Sequence, residues 1–115
     1  MTKDPVDHYT PAISNQGEIV WVQPVDYLSQ VFSSRRGQLT FSAKDHLQPS
    51  VNDPGEAVWI EKLGGSWQVV SAINGPITMN PADHFTPRLN NLGVLVWSQK
   101  VGKYFQVFKA TPHLW

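Results

Sequence analysis

Cysteine is absent from this chain of 115 residues, which excludes disulfide frameworks and cysteine-containing zinc sites. The redox compartment therefore leaves no trace in the sequence. Charge is scarce: 16% of residues are Asp, Glu, Lys or Arg, against about 25% in an ordinary soluble domain. Neither sign is in excess, with 9 basic and 9 acidic residues. A nucleic-acid binder needs cations to neutralise phosphates, and a membrane-surface protein needs a basic cluster, so neither partner is expected. No apolar run approaches the ~18 residues of a membrane-spanning helix, so no membrane insertion is expected. No apolar stretch follows Met1–Pro5, so no signal peptide is visible and the compartment is left open. Missing too are a Gly-x-Ser-x-Gly elbow, His-Glu-x-x-His, a P-loop, Gly-x-Gly-x-x-Gly and an EF-hand loop. No catalytic residue, no resident metal and no cofactor are expected, and the chain is read as a non-enzyme.

What is present is a repeat. Asp7-His8, Asp45-His46 and Asp83-His84 recur every 38 residues, and so do Pro11, Pro49 and Pro87. Gly17, Gly55 and Gly93 keep the same spacing, as do Val20-Trp21, Val58-Trp59 and Val96-Trp97. Gln30-Val31, Gln68-Val69 and Gln106-Val107 follow it, with Thr2, Thr40 and Thr78, and Met1, Leu39, Ile77 and Trp115. No gap is needed, so the chain reads as one domain over residues 1–115, built of repeats 2–39, 40–77 and 78–115.

Each repeat predicts four short strands and an all-β fold. The first runs near His8–Ile13, His46–Val51 and Phe85–Leu89, and the second over Glu18–Gln23, Glu56–Glu61 and Val94–Gln99. The third covers Ser29–Ser33, Trp67–Ser71 and Phe105–Lys109; the fourth covers Gln38–Phe41, Pro76–Met79 and His113–Trp115. Asn, Asp and Gly between the first two strands suit tight hairpins. The second strand is apolar on both faces: Ile19 and Trp21 oppose Val20 and Val22, and Ala57 and Trp59 oppose Val58 and Ile60. A one-sided sheet alternates apolar with polar, whereas a sheet wedged between two neighbours does not. Trp21, Trp59 and Trp97 are expected to pack between sheets, each burying on the order of 200 Å².

The shared pattern, Asp-His-x-x-Pro to Gly, then Val-Trp, Gln-Val and an apolar-Thr pair, resembles the TolB-type (WD40-like) β-propeller repeat. It is carried by Pro11–Gly17, Val20-Trp21, Gln30-Val31-Phe32 and Leu39-Thr40, and by their counterparts Pro49–Gly55, Val58-Trp59, Gln68-Val69-Val70 and Ile77-Thr78. The third repeat matches through Pro87–Gly93, Val96-Trp97 and Gln106-Val107-Phe108, then departs at Pro112-His113 and Trp115. The resemblance implies three four-stranded antiparallel blades. Propellers of this type serve as binding platforms, as appendages of hydrolases and occasionally as enzymes, and family members are often exported.

A ring needs about 4–8 blades. Three blades leave two open apolar sides, and such patches mark interfaces. The expectation is a half-propeller that self-associates, with a homodimer closing a six-bladed ring about a two-fold axis. A piece of a longer propeller is the other way to close. The rival fold is a β-trefoil, which also has three repeats of about forty residues and closes within one chain; the Gln-x-Trp motif of ricin-type trefoil lectins is absent.

Three groups of residues are candidate binding positions. His8, His46 and His84 stand at one repeat position, and in a closed propeller they would converge near the channel entrance. Some propeller lyases resembling this family hold a metal with channel histidines; otherwise each Asp-His caps a local turn. Arg35 and Arg36 occupy a turn where the other repeats have Ile73-Asn74 and Thr111-Pro112, as a solvated turn or a contact for an anionic partner. Tyr27, Trp67 and Tyr104 would serve a lectin. The leading function is a non-enzymatic binding and assembly module whose first partner is itself, with a protein or carbohydrate ligand. The alternatives are a carbohydrate-binding lectin and a propeller enzyme with a channel metal.

Overall fold

A computed structural model describes residues 6–111. These form eleven strands, and no helix occurs among the described residues. Repeat one gives β1 (Tyr9–Ile13), β2 (Ile19–Val25), β3 (Leu28–Ser33) and β4 (Gly37–Gln38). Repeat two gives β5 (His46–Val51), β6 (Ala57–Leu63), β7 (Ser66–Ser71) and β8 (Gly75–Pro76). Repeat three gives β9 (His84–Leu89), β10 (Leu95–Val101) and β11 (Tyr104–Ala110); the fourth strand expected at His113–Trp115 lies outside the described residues.

Each repeat folds into its own antiparallel sheet, a blade with its strands in chain order: β1-β2-β3-β4, β5-β6-β7-β8 and β9-β10-β11. No described strand pairs with one from another repeat. A closed trefoil barrel would need such shared pairings, so the sheets are blades.

The two-faced second strand explains how the blades stack. On blade 1, Val20, Val22 and Val31 point to one side and meet Val51, Ala57, Trp59 and Val70 of blade 2. The opposite face of blade 2, Val58, Ile60 and Val69, packs with Leu95 of blade 3, and Trp67, Phe85 and Trp97 close around it. Alternation along the strands sets Trp21 on the face of blade 1 that looks away from blade 2. Only the middle blade is therefore covered on both sides, and β6 is buried from Ala57 to Ile60.

Two features differ from the sequence expectation. The second and third strands run on to a two-residue loop, because Val25 pairs with Leu28, Leu63 with Ser66 and Val101 with Tyr104. Asp26 and Tyr27 take positive φ of 52° and 68°, and Gly64 and Gly65 take 60° and 89°, the type I′ geometry that matches strand twist. The two described fourth strands, β4 and β8, have only two residues each. Beyond them, the edge of the third strand is satisfied by a mixture of backbone and side chains. Leu39 N–H donates to Val31 O at 2.7 Å, while Val31 N–H donates to the Thr40 hydroxyl at 2.8 Å. The Thr40 hydroxyl in turn donates to the side-chain oxygen Gln30 Oε1 at 2.6 Å. Blade 2 repeats the arrangement with Ile77, Thr78, Val69 and Gln68.

Candidate functional site: the inner cleft and the seams between blades

The first strands of the three blades border a common cleft of about 570 Å³. Each carries a bulge. Between Tyr9↔Val22 and Ala12↔Val20 the inner strand spends one residue more than its partner, and β5 and β9 do the same. The residues at these bulges, Thr10, Gln48 and Thr86, hold positive φ of 45°, 54° and 51°. Non-glycine residues in that region are strained by about 1–3 kcal/mol each, and such strain clusters at binding sites. All three line the cleft, with Pro11 and Pro49 beside them, while the equivalent Pro87 is fully buried. Thr86 N–H donates to Gln48 Oε1 at 2.6 Å, which ties two bulges together. The next lining position, Ala12, Ser50 and Arg88, differs in every repeat, and Arg88 is the one charged residue of the lining. The bulges had no sequence signal: the residue before a proline is normally extended, and nothing in Thr or Gln announces positive φ.

The repeated Asp-His pair does something other than line this cleft. Asp45 Oδ1 accepts Ser29 N–H at 2.9 Å, and His46 Nδ1 lies 3.0 Å from Ser29 O. In the next repeat, Asp83 Oδ1 accepts Trp67 N–H at 2.9 Å, and His84 Nδ1 lies 2.8 Å from Trp67 O. In both cases the pair opens one blade and grips both backbone groups of a third-strand residue in the preceding blade. The imidazole N–H donates to the carbonyl, so Nδ1 carries the proton. His46 and His84 are thereby buried in the seams, with no histidine in the cleft lining. The expected convergence on a channel is corrected to this placement for His46 and His84; His8 has no preceding blade among the described residues and does not line the cleft. Their spacing matched one structural position per blade, and that position faces the neighbouring blade. Among the described residues no group of three or more His, Asp or Glu side chains is placed to hold a metal ion.

Each histidine also keeps a fixed relation to the tryptophan of its own blade. The ring centroids are 6.3 Å apart for His8–Trp21, His46–Trp59 and His84–Trp97. Each indole N–H donates to the side-chain oxygen two residues on, Gln23 at 2.8 Å, Glu61 at 2.9 Å and Gln99 at 3.3 Å. Further bonds close the seams at the hairpin turns. Asp53 N–H donates to Asn91 Oδ1 at 2.8 Å, and Asn91 Nδ2 donates back to Asp53 Oδ2 at 2.9 Å.

Arg35 and Arg36 are engaged locally. Arg36 donates from Nε and lies with Nη2 on Glu18 Oε2, both at 2.8 Å, and the Arg35 guanidinium donates to the Gln16 carbonyl. Burial works to raise the pKa of Glu18, but bonds from Ser33 and Arg36 and the charges of Arg36 and Arg35 outweigh it, so the carboxyl lies below the usual 4.5. Tyr27 is fully exposed at the tip of the β2–β3 loop and Tyr104 is exposed at the start of β11, whereas Trp67 packs into the second core cluster. None of the three lines the inner cleft.

The open faces of the outer blades complete the picture. Val31 and Val69 are 0% exposed, but Val107, their counterpart in blade 3, is 79% exposed. Ile13 of blade 1 is 66% exposed, against 6% for Val51 at the same position in blade 2. No family model matches the chain, and no curated protein matches it.

Proposed function

We propose that the chain is a non-enzymatic binding and assembly module of TolB-like propeller blades that associates with a second copy of itself, three blades from each, to close a ring. The observation that carries this reading is the pair of unlike apolar faces, Val107 with Phe105 on blade 3 and Ile13 with Trp21 on blade 1. Their counterparts inside the chain form blade-to-blade cores. A chain with both faces open leaves surface exposed that its own repeats are built to bury, and exposed apolar patches of this kind mark interfaces. Zero net charge sets up no long-range repulsion between identical copies. The inner cleft supports the binding half of the reading. Hydroxyl, amide and guanidinium groups of Thr10, Thr86, Gln48 and Arg88 suit a polar ligand held inside the closed ring.

Light scattering on the purified chain across a dilution series tests the assembly. The expected mass is twice the 12.9 kDa of one chain, with a melting temperature that rises with protein concentration. A monomer at every concentration defeats the reading.

A further inference from the structure

We infer that the joint between the two copies is made by the same Asp-His clamp that joins blades within the chain: Asp7 and His8 of one copy grip the backbone N–H and C=O of Phe105 of the other. This rests on the self-association proposed above and names the residues that make it.

The clamp occurs twice inside the chain with the same atoms, Asp45-His46 on Ser29 and Asp83-His84 on Trp67. Ser29, Trp67 and Phe105 share one repeat position, as do the three Asp-His pairs. Phe105 pairs with Lys100 as Ser29 pairs with Pro24 and Trp67 with Lys62, so its N–H and C=O face the same outer edge. Among the described residues no Asp-His pair stands against it. At the neighbouring position Gln30 and Gln68 are buried while Gln106 is exposed, so no other described residue covers the β11 edge there.

The other half of the joint is on the far side of the molecule and already has the clamp's shape. His8 keeps the 6.3 Å relation to Trp21 that the two working histidines keep to their tryptophans. Asp7 accepts the Tyr9 hydroxyl on Oδ2 at 3.1 Å, while the working aspartates use Oδ1. The Tyr9 hydroxyl thus engages the oxygen that the working aspartates do not use for the clamp. Asp7 also pushes the Tyr9 phenol up from 10.0, through their hydrogen bond first and its charge second. The joint is the continuation of a seam the chain forms twice, and a second copy brings both matching halves. Because the two halves differ, each contact is head-to-tail; two such contacts around a two-fold axis close the ring and leave no open edge.

The test uses three proteins: the wild type, Asp7→Ala/His8→Ala, and Phe105→Pro, which removes the gripped N–H. Proline is tolerated at an outward-facing edge position. Each variant alone should dimerise at least about tenfold more weakly, the loss of one clamp bond or more per joint, with the near-ultraviolet tryptophan signal of each chain retained. Mixing the two variants should restore dimers, because the mixed ring contains one joint with both halves intact. If Phe105→Pro loses its tryptophan signal, Val107→Asp on the same open face takes its place in the mixing experiment. Variants that dimerise like the wild type, or a mixture no better than its components, overturn the clamp while leaving self-association standing. A monomeric wild type overturns both. Assemblies larger than a dimer that Asp7→Ala/His8→Ala abolishes overturn the two-copy ring.

Discussion

Glu18 shows how much one residue can be asked to do in a chain with so little charge. It is 4% exposed and holds Ser33 at 2.5 Å as well as Arg36. A carboxylate whose folded pKa lies below its unfolded value stabilises the fold above the unfolded pKa, and that contribution fades as pH falls through the folded value. Glu18 is such a group, with an unfolded value near 4.5. Glu18→Gln keeps the shape and loses the charge. It should cost about 1 kcal/mol at neutral pH, the difference between charged and neutral hydrogen bonds, and it should flatten the decline in stability below about pH 4.5. Urea titrations of both proteins from neutral pH into that acid range read the two effects together. Equal slopes with pH would show that another carboxylate carries the acid sensitivity. Blade 2 repeats the device with Glu56 and Ser71 at 3.1 Å, and blade 3 drops it, having Val94 and Lys109 at those positions.

At the scale of the strand and the loop, sequence and structure agree where one residue pattern has one physical reading. The second strands were legible because apolar residues on both faces point to stacked sheets, and β6 of the middle blade is covered on both sides. The turns after β1, β5 and β9 were legible too: Ser14, Asn52 and Asn90 accept the N–H four residues on, and Gly17, Gly55 and Gly93 follow at positive φ. The fourth strands of repeats one and two are shorter than the sequence predicts because side chains such as Thr40 and Asp45 stand in for backbone partners, which no periodicity reveals. The Asp-His repetition was legible but its partner was not, since the gripped residue lies 16 or 17 positions earlier on a different blade. The β2–β3 loop offers a test at this scale. Tyr27 has φ of 68° and full exposure, so its side chain contributes strain and no packing. Tyr27→Gly should stabilise the chain by about 0.5 kcal/mol, relief of left-handed strain partly offset by glycine's entropy. Thermal melts measure this, and a drop in melting temperature would mean the phenol has a contact that matters.

For the whole molecule, the decisive contrast is between equivalent valines with unequal surroundings. Val69→Ala removes two buried methyl equivalents from the seam between blades 2 and 3 and leaves a void. It should cost about 2–3 kcal/mol of folding stability. Val107→Ala, at the same position of blade 3, should leave the unfolding of a dilute chain almost unchanged and instead raise the dissociation constant of the proposed assembly. Denaturation at low concentration and a dilution series separate the two quantities. Similar folding costs for both substitutions would show that Val107 is already covered within one chain.

The bulge-and-proline pair on each inner strand has one more consequence, for aggregation. β1, β5 and β9 are sheet edges, and an unprotected edge is a template for any passing strand. Each has a proline lacking an N–H immediately after a residue whose backbone is turned out of line. That combination spoils the ladder for a foreign chain while leaving the inner rim exposed. The Phe105–Val107 edge has neither device. Among the described residues, the risk of adventitious strand pairing therefore falls on the β11 side, the edge against which a second copy is proposed to sit.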